Sequence, residues 1–152
     1  MEDGGWEAAV KAIDCVKRYR GLKFMALIRS FRELNVYELA RTQAREIFRI
    51  TRAFPTEEKF SLTDQIRRSS RAVNAMIAEA WARRLYRAAF VSKLTEALGE
   101  AAETQAWLDH AHDCGYISAK QLSELDAQRQ SVGGMLNKMI DRADSFCPVR
   151  KP

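Results

Sequence analysis

Apolar residues recur at spacings of three and four through four successive segments of this chain, and only short breaks separate those segments. Such a period places each apolar set on one face of an α-helix. In the first segment, Tyr37, Ala40, Ala44, Ile47, Phe48 and Thr51 form the inward face. Phe54-Pro55-Thr56 stops it, because the residue before proline leaves the α region and proline cannot donate to the preceding turn. Thr56 with Glu57 and Glu58 then suits a single capped turn, and Ser61 or Thr63 suits the start of the second helix. That helix carries Leu62, Ile66, Val73, Met76, Ile77 and Ala80 and should end near Trp81–Arg84.

The third helix carries Tyr86, Phe90, Leu94, Ala97, Leu98, Ala101 and Leu108, with Gly115 as its stop. Its small residues Ala97, Gly99, Ala101 and Ala102 invite a close neighbour. Ser118-Ala-Lys-Gln121 has the form of a capping box and opens the fourth helix, whose stripe is Leu122, Leu125, Val132, Leu136, Met139 and Ile140. Gly133-Gly134 predicts a bend or a close contact within it. Four amphipathic helices with short connections predict an all-α fold, an antiparallel up-and-down four-helix bundle.

Composition agrees. The chain has 152 residues, 47% apolar and 30% charged, with 7 Gly and 3 Pro, which suits one compact domain and excludes disorder as its main description. The expected organisation is an N-terminal extension over 1–30, a bundle over 31–147 and a tail over 148–152; Met25 is an alternative start that would make residues 1–24 an extension. No apolar run suits a membrane span and no signal-peptide layout opens the chain, so a cytoplasmic protein is expected. Cys15, Cys114 and Cys147 are odd in number and widely spaced, and read as reduced thiols.

Charge is unevenly placed. Residues 1–90 hold 18 Lys and Arg against 11 Asp and Glu, and residues 91–152 hold 7 against 9. Arginine supplies 17 of the 25 cations, and its planar fork suits phosphate oxygens and carboxylates. Arg41, Arg45, Arg49 and Arg52 follow one stripe of the first helix; Arg67, Arg68 and Arg71 cluster in the second, and Arg83, Arg84 and Arg87 lie just beyond its end. A solvated basic face is the plainer explanation of such runs, and polyanion binding the sharper one. Glu79 and Glu103 read as members of structural ion pairs with this arginine set rather than as general acids.

Other chemistry is weakly signalled. His110-Ala-His112-Asp-Cys114 is the one metal-like cluster, and no second ligand pair accompanies it, so no metal or cofactor is expected. No Glu-x-x-His pair, phosphate loop, nucleophile elbow or HExxH occurs, and the chain reads as non-enzymatic. Trp81, Trp107, Tyr86 and Tyr116 suit base stacking, but aromatics at helical spacing more often fill a core or a subunit contact.

Over about Phe31 to Ile140 these residues resemble the 23S rRNA intervening-sequence (S23) protein family. The family's opening is similar to Phe31-Arg-Glu-Leu-Asn-Val-Tyr37-Glu-Leu-Ala40. Its most specific signature appears as Phe54-Pro55, Glu58, Phe60, Leu62, Gln65, Arg67 and Arg68. Ile77-Ala78-Glu79 keeps part of a further motif, with Met76 and Ala80 where the family has Asn and Gly. Phe90, Leu94, Ala97, Gly99, Glu103, Thr104, Gln105 and Gly115-Tyr116-Ile117 resemble later stretches, with Glu100 at a usual Ser.

The resemblance implies a bundle that assembles as a homopentamer, from genes often found inside insertions of 23S rRNA genes, and brings no reaction. By analogy with the related accessory variability determinants of diversity-generating retroelements, it also implies a basic barrel that binds a reverse transcriptase and nucleic acid. The expected function is therefore a homo-oligomer binding RNA or DNA through the ten arginines named above. The alternative is a protein-binding adaptor.

Overall fold

The computed structural model describes residues 28–148. The four expected helices are present: α1 (Asn35–Thr51), α2 (Leu62–Ala82), α3 (Arg87–Asp113) and α4 (Ala119–Asp141), followed by one further turn, α5 (Ala143–Phe146). Short 3-10 turns at Phe31–Glu33 and Thr56–Glu58 precede α1 and α2. Each long helix packs on its chain neighbours, and α1 also packs on α4, which closes an all-helical bundle; no strand occurs among the described residues. Residues 1–27 and 149–152, and with them Cys15, Met25 and most of the expected extension and tail, lie outside the described residues.

The core is divided. One apolar cluster gathers Val36, Ala40, Val73, Ile77, Phe90, Leu94, Val132 and Leu136, and a second gathers Ile47, Ile50, Leu62, Ile66, Leu108, Ala111, Ile117 and Leu125. Between them every long helix contributes a buried polar side chain: Gln43, Ser69 with Ser70, Thr104 and Arg129. Thr104 Oγ1 donates to Ser69 Oγ at 3.0 Å and also approaches the Glu100 carbonyl at 2.8 Å. The Gln43 amide donates to the Leu125 carbonyl at 2.8 Å. Burying polar groups is tolerable only when they bond one another, and this layer largely does so.

Several expectations are corrected. Phe48 does not face inward: it is 43% exposed, because Ile47 occupies the core position and a residue one step round the helix turns about 100° away. Tyr86 precedes α3 rather than lining it and is 59% exposed. Ser61 stands at the N-cap of α2 but makes no side-chain cap, and Thr63 is buried. Glu58 takes that role from the preceding turn, accepting from the Ser61 hydroxyl and the Leu62 N–H.

Of the small residues in α3, Ala97 and Ala101 are buried, whereas Gly99 and Ala102 are exposed. Gly133-Gly134 leaves α4 unbroken, and the nearest atom to a Cβ at Gly133 would be Leu98 Cδ2 at 4.0 Å, an ordinary contact. The two other caps follow expectation. Ser118 and Gln121 form the reciprocal capping box. Gly115 ends α3 with φ +76°, donating to the His112 carbonyl while the Tyr116 N–H donates to that of Ala111, the two bonds of a Schellman motif.

Candidate nucleic-acid interface

The up-and-down path decides which arginines meet. α1 and α2 run antiparallel, so Thr51 lies beside Arg67, Phe48 beside Arg67 and Arg71, and Tyr37 beside Asn74. Arg67 Nε donates to Thr51 Oγ1 at 2.7 Å, and its guanidinium lies 4.8 Å from the centre of the Phe48 ring. The Arg71 guanidinium lies 5.5 Å from the same ring. Asn74 Nδ2 donates to the Tyr37 carbonyl at 2.9 Å. Along this seam runs an open groove of about 320 Å³ with Ala44, Phe48 and Tyr37 as its apolar lining and Arg41, Arg45 and Arg71 around it.

Counter-charge there is sparse. Glu38 lies 3.9 Å from Arg41 and 3.5 Å from Arg45, and neither Arg67 nor Arg71 has a carboxylate within ion-pair distance among the described residues. These contacts are exposed, and pairs of that kind contribute only about 0–1 kcal/mol each. A phosphate can displace them at little cost.

The other expected site residues divide. Arg49 is held by Glu46, Nε to Oε2 at 3.0 Å and Nη2 to Oε1 at 2.5 Å, and this fork lowers the Glu46 carboxyl. It faces a different groove, of about 400 Å³, between α1 and α4. Arg52 stands exposed just past α1 with no ion-pair partner among the described residues. Arg68 turns toward α3, where Glu103 accepts from it at 2.7 Å and from Trp107 Nε1 at 3.1 Å.

Arg83, Arg84 and Arg87 sit at the opposite end of α2 from Arg67. Arg83 is 3.7 Å from Glu79, which also holds Lys93 at 3.2 Å. Arg84 lies over the Trp81 ring at 4.2 Å and donates to the Trp81 carbonyl at 2.7 Å. Arg87 Nε meets Asp144 at 2.6 Å, tying α3 to the turn after α4. Thus Arg41, Arg45, Arg67 and Arg71 share one face, while Arg68, Arg83, Arg84 and Arg87 serve contacts elsewhere.

Glu79 and Glu103 each hold cations, as expected of structural pairs. Trp81 is buried and Trp107 and Tyr116 are partly buried. Cys114 is exposed and Cys147 intermediate, both free thiols, and burial pushes the Cys147 thiol up. A cleft of about 610 Å³ brings together Glu58, Ser61, Trp107, His110 and Cys114. No group of three or more His, Cys, Asp and Glu side chains converges as a metal site among the described residues. Nor is any helix among them long and apolar enough to cross a membrane. Phe48, read from sequence as core, is the site residue that periodicity misplaced. Its place one step round the helix from Ile47, at the edge of the apolar stripe, was the available signal.

Residues 32–138 match the family profile described as 23S rRNA-intervening sequence protein. The chain belongs to that family. A solved structure from the S23 ribosomal protein family of Bacteroides thetaiotaomicron, a protein of unknown function, is similar at 30% identity and a TM-score of 0.64, covering 70% of this chain and 95% of that one. No curated protein sequence matches. The matched region contains the whole of α1, α2 and α3 and most of α4, so the groove lies entirely within the shared fold.

Proposed function

We propose that this protein is a non-enzymatic, cytoplasmic homo-oligomer, a pentamer in the family's manner, that binds RNA or DNA through the arginine face of α1 and α2. One observation carries the reading: three guanidiniums, those of Arg41, Arg45 and Arg71, line one groove and a fourth, that of Arg67, lies against its Phe48 ring, with Glu38 the one carboxylate paired to any of them among the described residues. Phosphate contacts from such a face supply affinity without base sequence, and affinity falls as salt rises. Repetition around an oligomer would multiply modest contacts into avidity.

The test is a salt titration of the purified full chain against a structured ribosomal RNA fragment and duplex DNA, with the assembly mass measured by light scattering. Binding with a steep salt slope is expected, lost in Arg45→Glu with Arg71→Glu and retained in Arg83→Glu with Arg84→Glu, the mass unchanged. A stable oligomer that binds neither nucleic acid at low salt overturns the reading. A second reading, an adaptor for a protein partner such as a reverse transcriptase, is favoured by the large apolar side chains exposed at the two ends of the bundle: Phe60 at 82% and Leu85 at 55%.

A further inference from the structure

We infer that the α1–α2 groove accepts an unpaired base, so that the protein selects single-stranded over duplex nucleic acid. The inference rests on the polyanion reading above and adds a ligand class to it. Charge alone does not require a groove, because a row of arginines on a flat face meets a duplex backbone equally well. Here the cations stand around an apolar lining of Ala44, Phe48 and Tyr37, and Phe48 remains 43% exposed although the bundle offers it a core one residue away. The cleft, at about 320 Å³, lies at the small end of ligand-binding volumes, a size for one planar ring rather than a helix.

A duplex keeps its base faces stacked internally and presents phosphates, leaving that lining uncovered. A single strand can splay a base onto an aromatic ring or a guanidinium plane, and the Phe48 ring with the Arg67 and Arg71 guanidiniums at 4.8 Å and 5.5 Å provides both. Arg41 and Arg45 on one side and Arg71 on the other then meet the flanking phosphates. Stacking of this kind tolerates any base, and the one side-chain amide in the lining, Asn74, already donates to the Tyr37 carbonyl.

The test uses the full chain and a labelled twelve-nucleotide RNA without self-complementarity, free and annealed to its complement, followed by fluorescence anisotropy at fixed salt. The free strand is expected to bind about tenfold or more tightly than the duplex, against the order that charge density dictates. Phe48→Ala and Phe48→Leu should each lose about tenfold for the strand and less than twofold for the duplex, while Phe48→Trp keeps the preference. Phe48→Leu retains apolar bulk, and the melting curve of each variant checks folding. Equal wild-type binding of strand and duplex overturns the inference but leaves polyanion binding standing. So does an equal effect of Phe48→Leu on both ligands, or a change of assembly mass in that variant, which would make the groove a subunit contact. Failure to bind either ligand removes the polyanion reading and this one with it.

Discussion

Gln43 and Arg129 stand 86 residues apart in the chain and meet at mid-height of the bundle, where Arg129 Nη2 donates to Gln43 Oε1. Arg129 is 3% exposed, and its Nε and Nη1 find no partner among the described residues. Burial pulls the guanidinium down to about 10, with Asp126 opposing, so the group is still charged at neutral pH. Removing its one hydrogen-bond partner leaves a buried cation unpaired. Gln43→Leu should therefore cost about 2–3 kcal/mol, whereas Arg129→Met should be neutral or stabilising by about 1 kcal/mol. Urea unfolding of both variants and of the double variant checks this, and the double variant should recover most of what Gln43→Leu loses.

Arg71 and Arg49 differ in what they hold. Arg71 has no carboxylate partner, and Arg49 is already forked onto Glu46. Each phosphate contact contributes roughly 0.7–0.9 to the slope of log affinity against log salt. Arg71→Ala should reduce that slope by about one contact, and Arg49→Ala should leave it nearly unchanged. A slope measured over four salt concentrations distinguishes them.

Glu58 gives the fold an acid limit. The Ser61 hydroxyl holds its carboxyl below the ordinary value of 4.5; burial opposes it, and the Tyr116 hydroxyl at 3.2 Å and the Leu62 N–H add smaller lowering effects. A carboxyl whose folded pKa is lowered stabilises the fold fully above its unfolded value and loses that contribution as pH falls through the folded one. Glu58→Gln should be less stable than wild type at pH 7, with the difference shrinking as pH falls below the ordinary carboxyl value of 4.5. Glu46 carries the same sign through Arg49, so the variant flattens the acid limb without removing it. Melting temperatures from pH 7 to pH 3 report the difference.

Gly115 occupies the left-handed region at φ +76°, with nothing within 4 Å of a Cβ built there. Backbone strain alone should set the cost of Gly115→Ala, about 1–2 kcal/mol. Tyr116→Phe removes only the bond to Glu58 and should cost less than Gly115→Ala. Thermal unfolding of the two variants separates turn conformation from the phenolic contact.

The four helices were legible because apolar period and breakers act locally: Pro55 and Gly115 end helices wherever the rest of the chain goes. The polar layer was not, because Gln43, Ser69, Thr104 and Arg129 occupy core positions by geometry while their side chains read as surface. Their partners lie on other helices, which no local pattern names. The same reason hid the division of the arginines. Arg67 and Arg68 are adjacent in sequence, yet one stacks on Phe48 of α1 and the other pairs with Glu103 of α3. Only the placement of neighbouring helices decides between a ligand face and an internal tie.

The pairing of α1 with α2 and of α3 with α4 also sorts the charge. Residues 35–84 hold ten Lys and Arg against six Asp and Glu, and residues 87–141 hold five against eight. The described bundle is thus close to neutral overall, with 18 cations against 16 carboxylates, yet it has a positive flank and a negative one. On the function proposed above, that lateral asymmetry favours one orientation of the bundle toward a polyanion. On that reading α1 and α2 lead the approach, and the acidic flank disfavours a strand that wraps around it. A single chain would then offer a polyanion one approach and one side.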